Sequence, residues 1–310
     1  MELLKDTEID FLGKRYVGFM LSMALILAGI ISLVLNGGPR LGIDFSGGVK
    51  IRAQFDQVTY DQLKRKLTEL GYPLASIQLD QAKKEATISV TGANIDQGDM
   101  SVGQAIANGL LSADDSSLKI VAGGLSISAV GPSVGKDLTW AASWSILVSI
   151  LILLAYISFR FQFQFGVGAI IALIHDVLIT LGIFSLCKIE INLPTVAAFL
   201  TIIGYSLNDT IVVFDRIREN QGAMKEGTDN LHILNKSINQ SLSRTVITSL
   251  TTLAVVLVIY FFSTAGEEIN TFALALIIGV LIGTYSSIFV ASPIVHIWKQ
   301  KFQINTPQTS

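Results

Sequence analysis

A carboxylate lies inside one of the long apolar stretches of this chain. Within Leu193–Phe214 the sequence LTIIGYSLNDTIVVF places Asn208 and Asp209 among aliphatic residues. A charged side chain inside a bilayer costs about 3 kcal/mol or more, so intramembrane acids usually face a partner or a water-filled path. If the helix ended early, Asp209 would lie among the lipid headgroups, but the apolar run continues as far as Asp215. We therefore predict a functional polar site at Asp209, with Asn208 beside it.

Arg244 is the cationic partner that the sequence offers to Asp209. It opens the fifth apolar helix, and Thr248 and Thr251 follow on the same face. Consecutive membrane helices run antiparallel, so Asp209 and Arg244 are expected in the same half of the membrane. The two would form either a static bridge or a switch that opens when the acid takes up a proton. The polar side chains around the acid favour a hydrated path over a dry bridge: Ser206, Asn208 and Thr210.

His175 and Asp176 form a second candidate site. They lie about ten residues into the apolar run Phe165–Leu186, which is about 15 Å deep at the rise of an α-helix and near the midplane. A histidine next to an acid can relay protons because it exchanges them near neutral pH. Adjacent helical residues do not face each other, so we expect each side chain to point to a different neighbour. A proton relay and a structural role both remain open.

The elements that position these residues are membrane helices. Hydrophobic residues make up 51% of the chain and charged residues 15%, with a mean hydropathy of +0.58, as in an integral membrane protein. Six apolar runs can each cross a hydrocarbon core of about 30 Å at about 1.5 Å per residue. They are Val17–Leu35, Trp140–Phe159, Phe165–Leu186, Leu193–Phe214, Val246–Phe262 and Phe272–Val290. We therefore predict a polytopic α-helical protein embedded in a lipid bilayer.

The positions of Lys and Arg predict the orientation of these helices. Positive residues accumulate on one side of the membrane: Lys5, Lys14, Arg15, Arg160, Arg216, Arg218, Lys225, Lys236, Arg244, Lys299 and Lys301. The short loops of the opposite side offer only Lys188. Both termini are therefore expected in the cytoplasm. The loop 215–245 would lie there too, with Asn230–Gln240 either an amphipathic surface helix or part of a solvated connector.

The predicted helices divide the chain into three parts. Residues 1–35 hold the cytoplasmic N-terminus and the first helix, 36–139 form an external domain, and 140–310 hold the other five helices with the C-terminal tail. Alternation and helical spacing predict a ferredoxin-like β-α-β-β-α-β domain between the first two helices. Its elements are Gly47–Phe55, Tyr60–Leu70, Ser76–Leu79, Glu85–Val90, Met100–Leu111 and Leu118–Val130. The domain contains no His and only scattered acids, which favours a binding or lever module over an enzyme.

Composition also excludes several kinds of site. The single Cys187 excludes an intrachain disulfide and a cysteine-based metal cluster, and we predict neither a metal nor a cofactor. No basic stripe supports nucleic-acid binding. Small residues at four-residue spacing predict close helix packing in the membrane. The clearest such row is Ala275, Gly279, Gly283, Ser287 and Ala291.

Five motifs give the chain a resemblance to a known family over nearly its whole length. They are LGIDFSGG (Leu41–Gly48), IHDVLITLGIFSL (Ile174–Leu186), IGYSLNDTIVVFDRIREN (Ile203–Asn220), SRTVITSLTTL (Ser243–Leu253) and IIGVLIGTYSSIFVASP (Ile277–Pro293). With these motifs the chain closely resembles SecF, the smaller of the paired SecD and SecF subunits that assist bacterial protein export. The fourth-helix motif is highly specific, whereas GIDFSGG alone would not be.

The resemblance implies a six-span relative of the resistance-nodulation-division transporters in the bacterial cytoplasmic membrane. It implies a heterodimer with SecD, association through SecD with the SecYEG channel, and contact with the translocating polypeptide. Inward proton movement would drive the external domains during late steps of export. Carried over by motif, Asp209 and Arg244 are the candidates for the proton-coupled site, with Asn208 adjoining and His175 and Asp176 as a relay. The family also uses an acid on SecD, so this chain would hold only part of the path.

Two other functions remain open from the residues alone. A purely structural subunit would hold its partner in place without a proton path of its own. An intramembrane aspartyl protease needs two cooperating acids, which Asp176 and Asp209 could supply. The Gly-x-Gly-Asp context of those proteases is absent, because the residues before Asp209 read GYSLN. A proton-coupled transport subunit without covalent chemistry is the leading hypothesis.

Overall fold

The computed structural model describes residues 7–91, 101–111, 120–223, 229–264 and 267–302. Its elements in chain order are α1 (Arg15–Leu35), α2 (Ile43–Ser46), β1 (Gly48–Phe55), α3 (Tyr60–Glu69), β2 (Ser76–Asp80), β3 (Glu85–Thr91), α4 (Ser101–Leu111), β4 (Ile120–Val130), α5 (Pro132–Arg160), α6 (Phe163–Leu186), α7 (Leu193–Ala223), α8 (Asn230–Phe262), α9 (Glu268–Ser286) and α10 (Ser292–Phe302). A π-helical turn, Ser287–Ala291, joins α9 to α10 without a break.

Six helices of the described chain are long and apolar enough to cross a membrane, which confirms the predicted number. They are α1, α5, α6, α7, α8 and the continuous segment from α9 through α10. Several extend beyond the apolar runs, because a helix continues past its apolar residues until a stop signal ends it. α5 begins at Pro132, where the proline is preorganised for the first helical turn. Much of the segment 215–245, predicted as a loop, is likewise helical, since α7 runs to Ala223 and α8 starts at Asn230.

Small residues bring the membrane helices close together, as their spacing predicts. A Cβ atom on Gly279 would lie 2.3 Å from the Ile202 side chain of α7. α1 and α6 meet backbone to backbone, because a Cβ on Gly29 would lie 2.7 Å from the Gly182 Cα. Lipid supplies no hydrophobic drive for helix pairing, so such close van der Waals contacts hold the bundle together.

The first part of α8 is packed against the bundle rather than forming a solvated connector. Leu234 and Ile238 are fully buried in its core. The side-chain amide of Asn239 in this segment pairs with the backbone of Ile9 in the N-terminal segment. It accepts from Ile9 N at 3.0 Å and donates to Ile9 O at 2.8 Å. Asn235 similarly accepts from Leu12 N at 3.0 Å. No pattern in the sequence predicts this contact between two distant segments.

The domain between α1 and α5 has the predicted ferredoxin-like fold. Its four strands form one antiparallel sheet in the order β2-β3-β1-β4, and α3 and α4 cover one face. The core joins alternate residues of β1, such as Val49 and Ile51, to the apolar faces of the two helices. Of the predicted elements, only Met100 and residues 118–119 lie outside the described residues.

The glycine pair Gly47-Gly48, at the start of β1, makes the turn from α2 into the sheet. Gly47 has a φ of 70° and Gly48 a φ of 142°, conformations that L side chains rarely adopt. A Cβ on Gly48 would also lie 2.3 Å from Val90 O of β3. The LGIDFSGG motif therefore encodes a short helix, a tight turn and the start of the central strand.

The open face of the sheet is tied to the membrane bundle by ion pairs. Lys50 Nζ lies 3.1 Å from Glu268 Oε1, and Arg52 Nη1 lies 2.8 Å from Glu267 Oε1. Lys83 donates to Phe262 O at 3.0 Å. These bundle residues lie at the end of α8, in the α8–α9 connection and at the start of α9, so the domain is attached to this corner of the bundle.

Candidate functional site

Asp209 is buried where α7, α8 and α9 meet, with 2% of its surface exposed. Ser249 of α8 donates a long hydrogen bond of 3.4 Å to Asp209 Oδ2. The Ser249 hydroxyl also lies 2.7 Å from Thr284 Oγ1 of α9, and Tyr205 of α7 donates to it at 3.3 Å. The acid therefore sits at the edge of a hydroxyl cluster that spans three helices.

Arg244 does not form the predicted bridge with Asp209. Its side chain is exposed on α8, and among the described residues no ion pair within 4.0 Å joins it to an acid. Arg244 precedes Ser249 by about 1.4 turns, or about 7.5 Å along the helix. Arg244 is exposed whereas Ser249 is buried, so the two side chains lie on different sides of α8. Arg244 still acts on the Asp209 carboxylate through its charge, but without a direct ion pair. Sequence spacing could not reveal this rotation of α8.

Asn208 also lies outside the buried site. It is exposed on the outer face of α7, one turn from the exposed Gly204. A Cβ added to Gly204 would meet no atom within 4 Å. Asn208 and Asp209 therefore point to different surroundings, the first outward and the second into the bundle.

His175 and Asp176 contact each other directly, so the expectation that they face apart is wrong. His175 Nδ1 lies 2.8 Å from Asp176 Oδ1. Asp176 is fully buried and His175 is 5% exposed. Their Cβ atoms diverge, but both side chains are long enough to meet in the space between helices. The spacing of two residues along one helix does not predict such a contact.

Hydroxyl groups from other helices complete the surroundings of Asp176. Ser206 of α7 donates to Asp176 Oδ2 at 2.5 Å, and Ser286 of α9 donates to the same oxygen at 2.8 Å. With His175, the carboxylate has three close partners. Both oxygens of the Asp176 carboxylate are thus paired, as is usual for a buried polar group.

The histidine connects this acid to α1. His175 Nε2 lies 2.9 Å from Ser22 Oγ, which lies 3.0 Å from Tyr285 Oη. Tyr285 in turn donates to Gly18 O at 2.6 Å. The predicted candidates did not include Ser22, Tyr285 or Ser286. Their signal in the sequence is a hydroxyl inside an apolar run, a weak signal because many such hydroxyls bond only to their own helix.

α9 supplies groups to both sites. Thr284 contacts the cluster at Asp209, and Ser286 donates to Asp176. The π-helical turn Ser287–Ala291 follows directly. π-turns often mark functional positions in helices because they shift the register of side chains. The end of α9 thereby presents adjacent hydroxyls to two different acids.

The two acids do not form a protease pair. Among the described residues, no hydrogen bond joins the carboxylates of Asp176 and Asp209, which bind different hydroxyls. Aspartyl proteolysis relies on two carboxylates that share a proton. Within the part of the chain that the structure describes, no three His, Cys, Asp or Glu side chains lie close enough together to hold a metal ion.

Two family models match the chain. Residues 116–301 match the C-terminal region of the protein export membrane proteins SecD and SecF. Residues 33–57 match the SecD/SecF GG motif, which includes the turn at Gly47 and Gly48. The first match contains all the buried acids and hydroxyls described above except Ser22.

Individual relatives agree with these matches. The protein translocase subunit SecF of Thermodesulfovibrio yellowstonii is 42% identical, covering 95% of this chain and 96% of its own. The protein translocase subunit SecDF of Thermus thermophilus is 38% identical over 96% of this chain, but only 40% of its own length is matched. The crystal structure of SecDF, a translocon-associated membrane protein from Thermus thermophilus, superposes with a TM-score of 0.83 at 35% identity, covering 97% of this chain and 40% of that one.

Proposed function

The chain belongs to the SecD/SecF family of protein export membrane proteins, and we propose that it acts as a proton-coupled SecF subunit of a bacterial protein translocase. It is a transport subunit without covalent chemistry. With SecD it uses the proton gradient to promote late steps of polypeptide export across the cytoplasmic membrane. The observation that carries this proposal is the buried Asp209, which lies where α7, α8 and α9 meet and accepts a long hydrogen bond from Ser249.

SecD is the partner that fits the outer face of α7 and α8. This face carries exposed polar side chains within two membrane-spanning helices: Thr201, Asn208, Arg244 and Thr251. Exposure of Arg244 and Asn208 to lipid would be costly, whereas a neighbouring polar helix would satisfy both. The SecDF relative, which is more than twice as long as the matched region, supports such a partner. An acid on SecD would pair with Arg244 and complete the path that begins at Asp209.

The same reasoning extends to location and to other partners. The accumulation of Lys and Arg on one side supports cytoplasmic termini and an external α+β domain. We retain the division into residues 1–35, 36–139 and 140–310 on that basis. We also propose association with the SecYEG channel through SecD and contact of the external domain with the emerging polypeptide, and membership in the family supports both.

α9 offers a route from the proton site to the external domain. One end of α9 bears Thr284 and Ser286, which contact the two buried sites. The other end begins at Glu268, whose carboxylate binds Lys50 of the sheet. A change in the charge of Asp209 alters the hydroxyl cluster that includes Thr284. A rigid helix would transmit the resulting displacement to the domain.

The central test replaces Asp209 by Asn in cells that lack the native subunit. We expect membrane insertion and SecD binding to remain, and the stimulation of export by the proton gradient to be lost, because the amide cannot carry a proton. Asp215→Asn is the matched control, since Asp215 is exposed on the same helix. It should leave export unchanged.

Normal proton-dependent export by the Asp209→Asn variant would overturn the proposal. That outcome, together with normal partner binding, would identify a purely structural subunit. Loss of insertion or of SecD binding would show instead that Asp209 serves assembly, which also contradicts a proton-carrying role.

A further inference from the structure

A chain of hydrogen bonds links His175 on α6 to the backbone of α1. Its three contacts join His175 Nε2 to Ser22 Oγ at 2.9 Å, Ser22 Oγ to Tyr285 Oη at 3.0 Å, and Tyr285 Oη to Gly18 O at 2.6 Å. At these lengths, each pair of electronegative atoms needs a hydrogen between them. The hydroxyls of Ser22 and Tyr285 supply only two hydrogens for the three contacts.

The third hydrogen belongs on His175 Nε2. A carbonyl oxygen only accepts, so Tyr285 must donate to Gly18 O. Ser22 must then donate to Tyr285, which leaves Nε2 to donate to Ser22. If Nε2 were bare, two acceptor atoms would face each other without a hydrogen in one of the three contacts.

The opposite side of the ring contains a further hydrogen. His175 Nδ1 and Asp176 Oδ1 lie 2.8 Å apart, so one hydrogen lies between them. The other carboxylate oxygen lies 2.5 Å from Ser206 Oγ and 2.8 Å from Ser286 Oγ, and the latter distance is shorter than the 3.1 Å from Ser286 Oγ to Gly283 O, so both hydroxyls donate to the carboxylate. These two donors stabilise a negative charge on Asp176 and place the shared hydrogen on Nδ1.

We propose that His175 and Asp176 form a neutral imidazolium–carboxylate unit, with hydrogens on both ring nitrogens, and that this unit fastens α1 to the bundle. Net neutrality removes most of the cost of burying an acid in a bilayer. A neutral imidazole beside the carboxylate would leave an uncompensated negative charge as well as one contact without a hydrogen. The assignment does not depend on the proton-coupled function proposed above.

Other charged groups leave this unit undisturbed. Within the described chain, Asp176 and Tyr285 are the titratable groups in contact with the His175 ring, and the Tyr285 ring stacks on it with centroids 6.1 Å apart. α1 contributes the uncharged Ser22. The other buried acid, Asp209 on α7, is bound by Ser249 of α8.

Nitrogen-15 magnetic resonance of the full chain in lipid nanodiscs tests the proposal. Labelled histidine would be incorporated into a His232→Gln/His296→Gln variant, so that the remaining signals belong to His175. At pH 8 we expect both ring nitrogens to resonate as protonated. A bare Nε2 in this spectrum would overturn the proposal.

Tyr285→Phe tests the cause of that protonation. Phenylalanine keeps the stacked ring but removes the acceptor for Ser22, which then becomes free to donate to Nε2. We expect a bare Nε2 signal to appear at the same pH. Tyr205→Phe is the matched control. It also removes a tyrosine hydroxyl inside the bundle, but one that binds Ser249 and takes no part in the hydrogen bonds between His175 and α1.

The results separate this proposal from the proposed function. An unchanged His175 spectrum in Tyr285→Phe would overturn the hydrogen-bond assignment even if export proved proton-dependent. Conversely, normal export by Asp209→Asn would leave the two protonated ring nitrogens of His175 untouched.

Discussion

Asp176 and Asp209 are both buried aspartates in adjacent membrane helices, yet their surroundings differ. Asp176 has three close partners, at 2.5, 2.8 and 2.8 Å. Among the described residues, Asp209 has one hydrogen bond within 3.5 Å, from Ser249 at 3.4 Å, and Thr248 and Arg244 of α8 act on it from farther away. Fewer interactions are lost when Asp209 gains a proton than when Asp176 does. Burial alone therefore does not identify a proton-carrying acid in a membrane, and the number and length of its hydrogen bonds distinguish a structural acid from an exchanging one.

The neighbouring helices produce this difference. Asp176 receives hydroxyls from α7 and α9, and through His175 it reaches α1. Asp209 faces the buried side of α8, which carries Ser249. The other side of α8, which carries Arg244, is exposed. The first acid is enclosed by this chain, whereas the second lies beside a surface that fits another subunit.

The largest expected effect is on stability. Asp176→Asn should lower the free energy of unfolding of the full chain by about 3 kcal/mol or more, because a buried imidazolium loses its counter-charge. Asp209→Asn should lower it by about 1 kcal/mol or less, since only one long hydrogen bond changes. Denaturant titration of both variants in the same detergent measures the two values. Equal losses of unfolding free energy in the two variants would show that both acids contribute to stability in the same way.

An intermediate effect is expected when single donors are removed. Ser286→Ala deletes a close hydrogen bond to a carboxylate and should cost about 1.5 kcal/mol, near the upper end for polar contacts in membranes. Ser249→Ala deletes the long bond to Asp209 together with the contacts of the same hydroxyl to Thr284 and Tyr205. Thr284→Val is therefore its reference, and the additional loss in Ser249→Ala should be about 0.5 kcal/mol. The same denaturant titration applies to all three variants. An additional loss larger than that of Ser286→Ala would reverse the proposed ranking of the two sites.

The smallest effect concerns a third, exposed acid. Asp10 accepts from Gly13 N and from Asn235 Nδ2, and these hydrogen bonds hold the pKa of its carboxyl below its ordinary value of 3.8. A lowered pKa in the folded state adds stability above the unfolded pKa, and the stability is lost as the pH falls through the folded one. Acidification below about pH 4 should therefore loosen the N-terminal segment.

Proteolysis of that segment at pH 7 and pH 3.5 measures this change. Asp10→Asn should show weaker protection at pH 7 and a smaller pH dependence than the unsubstituted chain. Equal pH dependence in both chains would show that another group controls the segment. The Asp10→Asn substitution should leave the surroundings of Asp176 and Asp209 unchanged.

Sequence patterns were sufficient for the helices, the sheet and the burial of Asp209. A long apolar run predicts a membrane helix, and the alternation in GGVKIRAQF predicts a strand with one buried face. These are local properties. The pairing of Asn239 with Ile9 was not predictable, because it joins residues separated by 230 positions through one amide side chain.

The remaining differences concern helix rotation and side-chain reach. The turn of α8 that directs Arg244 outward depends on how the helix packs against α7 and α9. The contact between His175 and Asp176 depends on side-chain conformations chosen together with Ser22, Ser206 and Ser286. No spacing rule on a single helix contains this information.

The close approach of Gly29 and Gly182 puts the backbones of α1 and α6 in direct contact. On one side of this point Ser22 contacts His175 of α6, and on the other Ser32 Oγ lies 2.8 Å from Ser185 Oγ. α1 is therefore attached to α6 at three levels along its length. A displacement of α6 would carry α1 with it, and with α1 the segment that leads into the sheet domain.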